Sequence, residues 1–118
     1  MAKYPDRHVL FVCKGNLNRS RAAEDVMGQV IGGTPDLEYD MQVRSAGIDP
    51  VGDGKPLTDE VVAWADAIYV FEGWHEKIVL GRYPDAAGKI CNLQIPDVYD
   101  RNNPELILIL RYILPELL

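Results

Sequence analysis

At 118 residues the chain is long enough for one compact domain with its own core, spanning 1–118, and too short for two ordinary ones. Its 12 basic residues against 18 acidic give a net charge of -6, which argues against a general nucleic-acid or acidic-membrane binder and requires any anion site to be local. Two cysteines, Cys13 and Cys91, and an opening MAKYPDRH that leads into only a short apolar run fit a reducing, cytoplasmic setting without a secretory leader or disulfide framework.

In chain order, HVLFVC (8–13) is a nearly continuous apolar run, as expected for a strand covered on both faces. Ala22, Ala23, Val26, Met27, Val30 and Ile31 then recur at helical spacing, with Gly32 and Gly33 as the stop. MQVRSAG (41–47) reads as a second strand, followed by a Gly-, Pro- and Asp-rich loop, GIDPVGDGKPL (47–57). Thr58 is placed to cap a helix whose first turn carries Asp59 and Glu60. AIYVFE (67–72) is a third strand, a weaker helix spans about 74–80, and KICNLQI (89–95) is a fourth strand with Cys91 in its core. Asn103 then caps a last helix with Pro104 at its first position, Leu106, Ile107, Leu110, Ile113 and Leu114 on one face, and Pro115 at its close. Strict strand–helix alternation implies an α/β, doubly wound sheet of four parallel strands with right-handed crossovers.

In such sheets ligands bind beyond the carboxyl ends of the strands, where the first strand ends in Cys13. A cysteine at the mouth of a loop that opens a helix is placed for chemistry. The loop CKGNLNR has the spacing C-x5-R, with Ser20 next. A loop of this length can curl so that the backbone N–H groups of residues Lys14, Gly15, Asn16, Leu17, Asn18, Arg19 and Ser20 converge on an anion, helped by the positive end of the helix. Gly15 permits backbone conformations closed to other residues, and Asn16 and Asn18 tolerate left-handed geometry. Amide dipoles, helix end and Arg19 together favour the Cys13 thiolate. The planar fork of Arg19 holds two phosphoryl oxygens, a task lysine does not perform. Ser20 is placed to donate a hydrogen bond to the sulfur, or to cap the helix.

The stretch VLFVCKGNLNRSRAAE resembles the phosphate-binding loop of the low-molecular-weight protein tyrosine phosphatases, a hydrophobic strand, C-x-G-N-x-x-R-S and a helix. VRSAG (43–47), DEVVAWADAIYVFE (59–72) and IPDVYD are also similar to that superfamily, nearest its short, tyrosine-phosphatase-like branch. The resemblance implies a flavodoxin-like fold and hydrolysis of a phosphomonoester, from a phosphotyrosine protein or a small aryl phosphate, through a phosphocysteine intermediate with no metal or other cofactor. It implies Cys13 as nucleophile, Arg19 as phosphate clamp, Gly15 and Asn16 as loop-shaping residues, Ser20 as donor to the sulfur and Ser45 as a brace for the loop. Three positions depart from the family pattern. Asn18 stands where many relatives carry a second cysteine, Arg21 where a proline is usual, and the family's Asp-Pro-Tyr element is here Pro96-Asp97-Val98-Tyr99-Asp100.

Phenolate and alkoxide leave poorly, and one well-placed acid is worth about 10²–10⁴ in rate. Asp97, following the fourth strand, is the first candidate, Asp100 its rival, and a turn-shaping role for both the alternative; Tyr99 is placed to wall a phenyl-sized pocket. His75 has no companion at metal-ligand spacing and reads as a partly exposed helix residue, while Trp74 reads as packing or rim. Two other classes stay open: an arsenate reductase-type thiol enzyme, which would have only Cys91 for a relay, and a non-catalytic oxyanion-binding module.

Overall fold

The computed structural model describes residues 7–34 and 40–117; the six opening residues, read above for a leader, lie outside them. Four strands, β1 (Arg7–Cys13), β2 (Met41–Gly47), β3 (Ala67–Val70) and β4 (Ile90–Asn92), form one sheet in the order β2-β1-β3-β4 with every pairing parallel. Four α-helices alternate with them: α1 (Arg19–Gly32), α2 (Asp59–Trp64), α3 (Gly73–Arg82) and α4 (Pro104–Ile113).

The period-2 geometry of a strand divides the central strands between two cores. Val9, Phe11, Tyr69 and, just past the end of β3, which stops at Val70 rather than at residue 72, Phe71 face α1 and α4, with Met27, Leu106 and Leu110 fully buried there. Leu10, Val12, Ile68 and Val70 face the other way, onto Val62 of α2 and Val79 of α3. Because β1 pairs with β2 on one side and β3 on the other, its carboxyl end lies where the crossovers diverge, the place at which doubly wound sheets open a crevice. Cys13 is the last residue of that strand.

The caps agree with the sequence. Thr58 Oγ1 accepts from the Val61 N–H at 3.2 Å, and Asn103 Oδ1 accepts from Glu105 N–H at 2.9 Å. Elsewhere the boundaries shift. β4 is three residues rather than seven, since Asn92 Oδ1 accepts from Gln94 N–H and Gln94 takes a left-handed φ of 57°. Cys91, expected in the core, is exposed, because the edge strand presents that side to solvent. A 3-10 segment at Pro84–Lys89, not anticipated, joins α3 to β4, and another at Leu114–Leu117 carries the chain past Pro115. Among the described residues no helix is long and apolar enough to cross a membrane.

Candidate active site

An open cavity of about 160 Å³ at the end of β1 is lined by Cys13, Lys14, Gly15, Leu17, Asn18, Arg19, Val51 and Asp97. Seven of these eight were candidates from the sequence; Val51 was not. The loop between β1 and α1 curls because Asn16 adopts φ 50° with its side chain wholly buried. The left-handed residue is therefore Asn16, while Gly15 keeps an ordinary φ and Asn18 one of -115°. Gly15 serves a different purpose: a Cβ there would lie 3.3 Å from Val51 Cγ2.

Loop 47–57 forms the backing of this curl. Ile48, Asp49 and Val51 donate their N–H groups to the carbonyls of Cys13, Lys14 and Gly15 at 3.0, 2.7 and 3.0 Å, so backbone hydrogen bonds tie the two loops together beyond the ends of β1 and β2. Two glycines allow the approach: a Cβ on Gly47 would stand 2.8 Å from Asn16 N, and one on Gly54 2.5 Å from Gly15 O. Asn16 completes the brace, accepting from Lys55 N–H at 2.7 Å and donating Nδ2–H to Ser20 Oγ at 2.9 Å.

Ser20 Oγ lies 3.0 Å from Cys13 Sγ. With Asn16 as its donor, the hydroxyl is left to give its own proton to the sulfur. Asn18, not Ser20, occupies the cap position of α1, so the helix-capping alternative for Ser20 does not hold. Ser45, expected to brace the loop, instead donates to Glu24 Oε1 of α1 at 2.7 Å, while the backbone N–H of Lys55 holds Asn16 Oδ1 at 2.7 Å.

Arg19 is 2% exposed and would be costly as a lone buried cation. Its Nη1 donates to Glu72 Oε2 at 2.9 Å and to the carbonyl of Ile95 at 2.8 Å, leaving Nε and Nη2 for an anion. Burial raises the Glu72 pKa, but the hydrogen bond and charge of Arg19 outweigh it and hold the carboxyl below its ordinary value. Glu72 also caps α3, in a reciprocal box with His75. His75 is fully buried, contrary to the partly exposed placement expected. Its Nδ1 accepts from the N–H groups of Phe71 and Glu72, both at 3.2 Å, so the ring proton sits on Nε2, 3.5 Å from Glu72 Oε2. Burial, with the charge of Arg19, lowers the His75 pKa to about 4 against the opposing pull of Glu72 and Asp97. Glu72 was legible only as the acid ending the third apolar run.

Asp97 projects over the cavity with Oδ1 3.8 Å from Arg19 Nε, 61% exposed. Asp100 is exposed and is not among the lining residues. Tyr99 packs against the α1–α4 core rather than walling the cavity, whose apolar rim is aliphatic, Leu17 and Val51. Trp74 does not line it either. Among the described residues no three His, Cys, Asp or Glu side chains gather as a metal site.

Residues 8–77 match the family model for low molecular weight phosphotyrosine protein phosphatase. Three solved structures are similar in fold. A protein tyrosine phosphatase from Entamoeba histolytica, in a product-state mimic, is 24% identical, with 94% of this chain and 92% of that one covered and a TM-score of 0.78. The arginine phosphatase YwlE from Geobacillus stearothermophilus is 23% identical, covering 94% and 87%, with a TM-score of 0.69. The tyrosine phosphatase Wzb from Escherichia coli K30, in complex with phosphate, is 20% identical over 93% and 94%, with a TM-score of 0.70. No curated protein sequence matches.

Proposed function

The chain belongs to the low molecular weight phosphotyrosine protein phosphatase family and is a cysteine-based phosphatase of phosphorylated protein or small phosphate substrates; from that premise we propose that Cys13, Arg19 and Asp97 carry the reaction, with phosphotyrosine or another aryl phosphate as substrate. The observation that carries this assignment is a single cavity that holds the Cys13 sulfur, the Arg19 fork and one carboxylate, that of Asp97.

A substrate dianion is held by the loop N–H groups of Lys14 to Ser20 and by Nε and Nη2 of Arg19, whose planar fork fits the equatorial oxygens best as the phosphoryl group flattens. The Cys13 thiolate attacks phosphorus in line, the P–O bond to the leaving group breaks, and the departing oxygen takes the proton of Asp97. The Asp97 carboxylate then removes a proton from water as that water attacks the phosphocysteine. The S–P bond breaks, and the Ser20 hydroxyl, 3.0 Å from Sγ, stabilises the sulfur as it leaves. Leu17 and Val51 at the rim, both exposed, offer apolar contact to a flat ring. Asp100 is assigned to shaping the turn, since its carbonyl accepts the Asn103 N–H at 3.0 Å.

Cys91 lies on β4, separated from β1 by β3, and is not part of the cavity, which counts against a thiol relay. Both cysteines are free, and we place the enzyme in the cytoplasm, acting without nucleic acid or membrane.

The test is hydrolysis of a generic aryl phosphate under reducing conditions with a chelator present. Native protein turns over and Cys13→Ser does not; Asp97→Asn loses the limb of the pH profile on which the rate falls as pH rises, and Asp100→Asn keeps it. A profile indifferent to both substitutions removes the acid assignment, and turnover by Cys13→Ser removes the nucleophile.

A further inference from the structure

Asp97 makes no hydrogen bond among the described residues, only a long 3.8 Å ion pair to Arg19 Nε; the segment carrying it, residues 95–103, does most to set its position. Two consecutive residues of the phosphate loop grip that segment at opposite ends. Arg19 Nη1 holds the carbonyl of Ile95 at 2.8 Å, and Asn18 Oδ1 accepts the N–H of Arg101 at 3.1 Å. The second grip is doubled, since the Arg101 guanidinium makes a bidentate pair with Asp25 of α1, Nε to Oδ2 at 2.8 Å and Nη2 to Oδ1 at 2.9 Å. Those hydrogen bonds to Asp25 hold the Arg101 pKa above its ordinary value. Between the grips, Asp97 and Val98 are exposed and Tyr99 rests on the core.

We propose that Asn18, Asp25 and Arg101 form a latch that sets the Asp97 carboxyl over the phosphate loop, making them positioning residues for proton transfer to the leaving group. The proposal rests on the general-acid assignment made above for Asp97. A displacement of about 1 Å from the productive geometry can cost on the order of 100-fold in rate, so a latch of modest strength has kinetic weight. Each partner of the ion pair is about two-fifths exposed, 39% and 40%, so the pair is weak and screened by salt. Asn18 thus has an occupation of its own at the position where many relatives carry a second cysteine.

The experiment measures kcat/KM over a series of substituted phenyl phosphates, since this quantity reports the step in which the leaving group departs. Protonation by a positioned acid makes the rate nearly independent of leaving-group basicity, and its loss makes the dependence steep. Arg101→Ala and Asn18→Ala are expected to lower the ratio of poor to good leaving-group rates about 10-fold, part of the way to Asp97→Asn. The charge-reversed pair Asp25→Arg with Arg101→Asp restores the ratio, and raising salt lowers it in the native protein but not in Arg101→Ala. A steep series for Asp97→Asn with native-like slopes for the latch variants, or equal losses on all substrates, overturns the latch and leaves the acid standing. A native slope in Asp97→Asn overturns the acid assignment and the latch with it.

Discussion

The phosphate loop and the segment bearing Asp97 meet over one cavity but are held by opposite means. The loop is tied by backbone hydrogen bonds to 47–57, by the buried Asn16 side chain, and by a buried cation whose partner caps a helix. The Asp97 segment is anchored at its start by the buried Ile95, whose N–H donates to the Phe71 carbonyl at 3.0 Å, and by Tyr99 on the core; to the loop and α1 it is tied only by one carbonyl, one amide N–H and a half-exposed ion pair. An anion must be met by donors already in place, because reorganising them costs most of their electrostatic value. An acid that turns carboxylate and must then admit water, the role proposed for Asp97, is served by a lighter hold. Rigidity is thus distributed by chemical task within a radius of a few residues.

The largest way to break this contrast is to blunt the rigid half at its charge. Arg19→Lys keeps a cation but loses the fork that serves Glu72, Ile95 and the substrate at once, and kcat/KM for an aryl phosphate is expected to fall about 10²–10³-fold. A smaller intervention presses on the loop from behind. Gly54→Ala places a methyl group against the Gly15 carbonyl, and overpacking of this kind costs up to about 3 kcal/mol. The melting temperature and the affinity for inorganic phosphate should drop together, whereas an unchanged phosphate affinity would show that 47–57 does not shape the loop.

Lower pH reaches the same half through His75. Its folded pKa of about 4 lies below the ordinary 6.5, so the unfolded chain binds the proton first. The stability is in place above about 6.5 and is lost as pH falls toward 4, amounting to about 2 kcal/mol between pH 7 and pH 5. Urea unfolding at the two pH values measures it, and His75→Asn, neutral at both, should show a smaller difference. The smallest effect belongs to the light half: Arg101→Ala is expected to change unfolding free energy by less than about 1 kcal/mol, since the pair is exposed. Denaturant midpoints of the two proteins then nearly coincide, which would separate its kinetic effect from any general loosening.

Legibility followed locality. The strand, the loop and α1 are consecutive, so Cys13, Asn16, Arg19 and Ser20 could be picked out from spacing and turn chemistry before any fold was known. His75 was misplaced because an i, i+3 relation to Glu72 says nothing of which face of α3 is covered. Cys91 was misplaced because a short apolar run does not reveal that it forms a sheet edge. Asp97 was preferred to Asp100, three residues on in the same polar turn, only for following the fourth strand, and the turn-shaping alternative for both stayed open. Their difference arises from where the chain goes after Gln94 turns left-handed.

Alternation of apolar runs with capped helical patterns determined by itself the class of fold, since period and caps are properties of neighbouring residues. The C-x5-R loop likewise pointed to the place proposed for the anion. Tertiary structure alone decided what surrounds it: Arg19 meets Glu72 across 53 positions, Lys55 meets Asn16 across 39, and Arg101 meets Asn18 across 83. Those meetings follow from the parallel pairing of all four strands, which brings their carboxyl ends to one edge, and from the order β2-β1-β3-β4, which sets which loops are neighbours there. Residues that cooperate there need share no pattern along the chain, because what they share is a direction of the sheet.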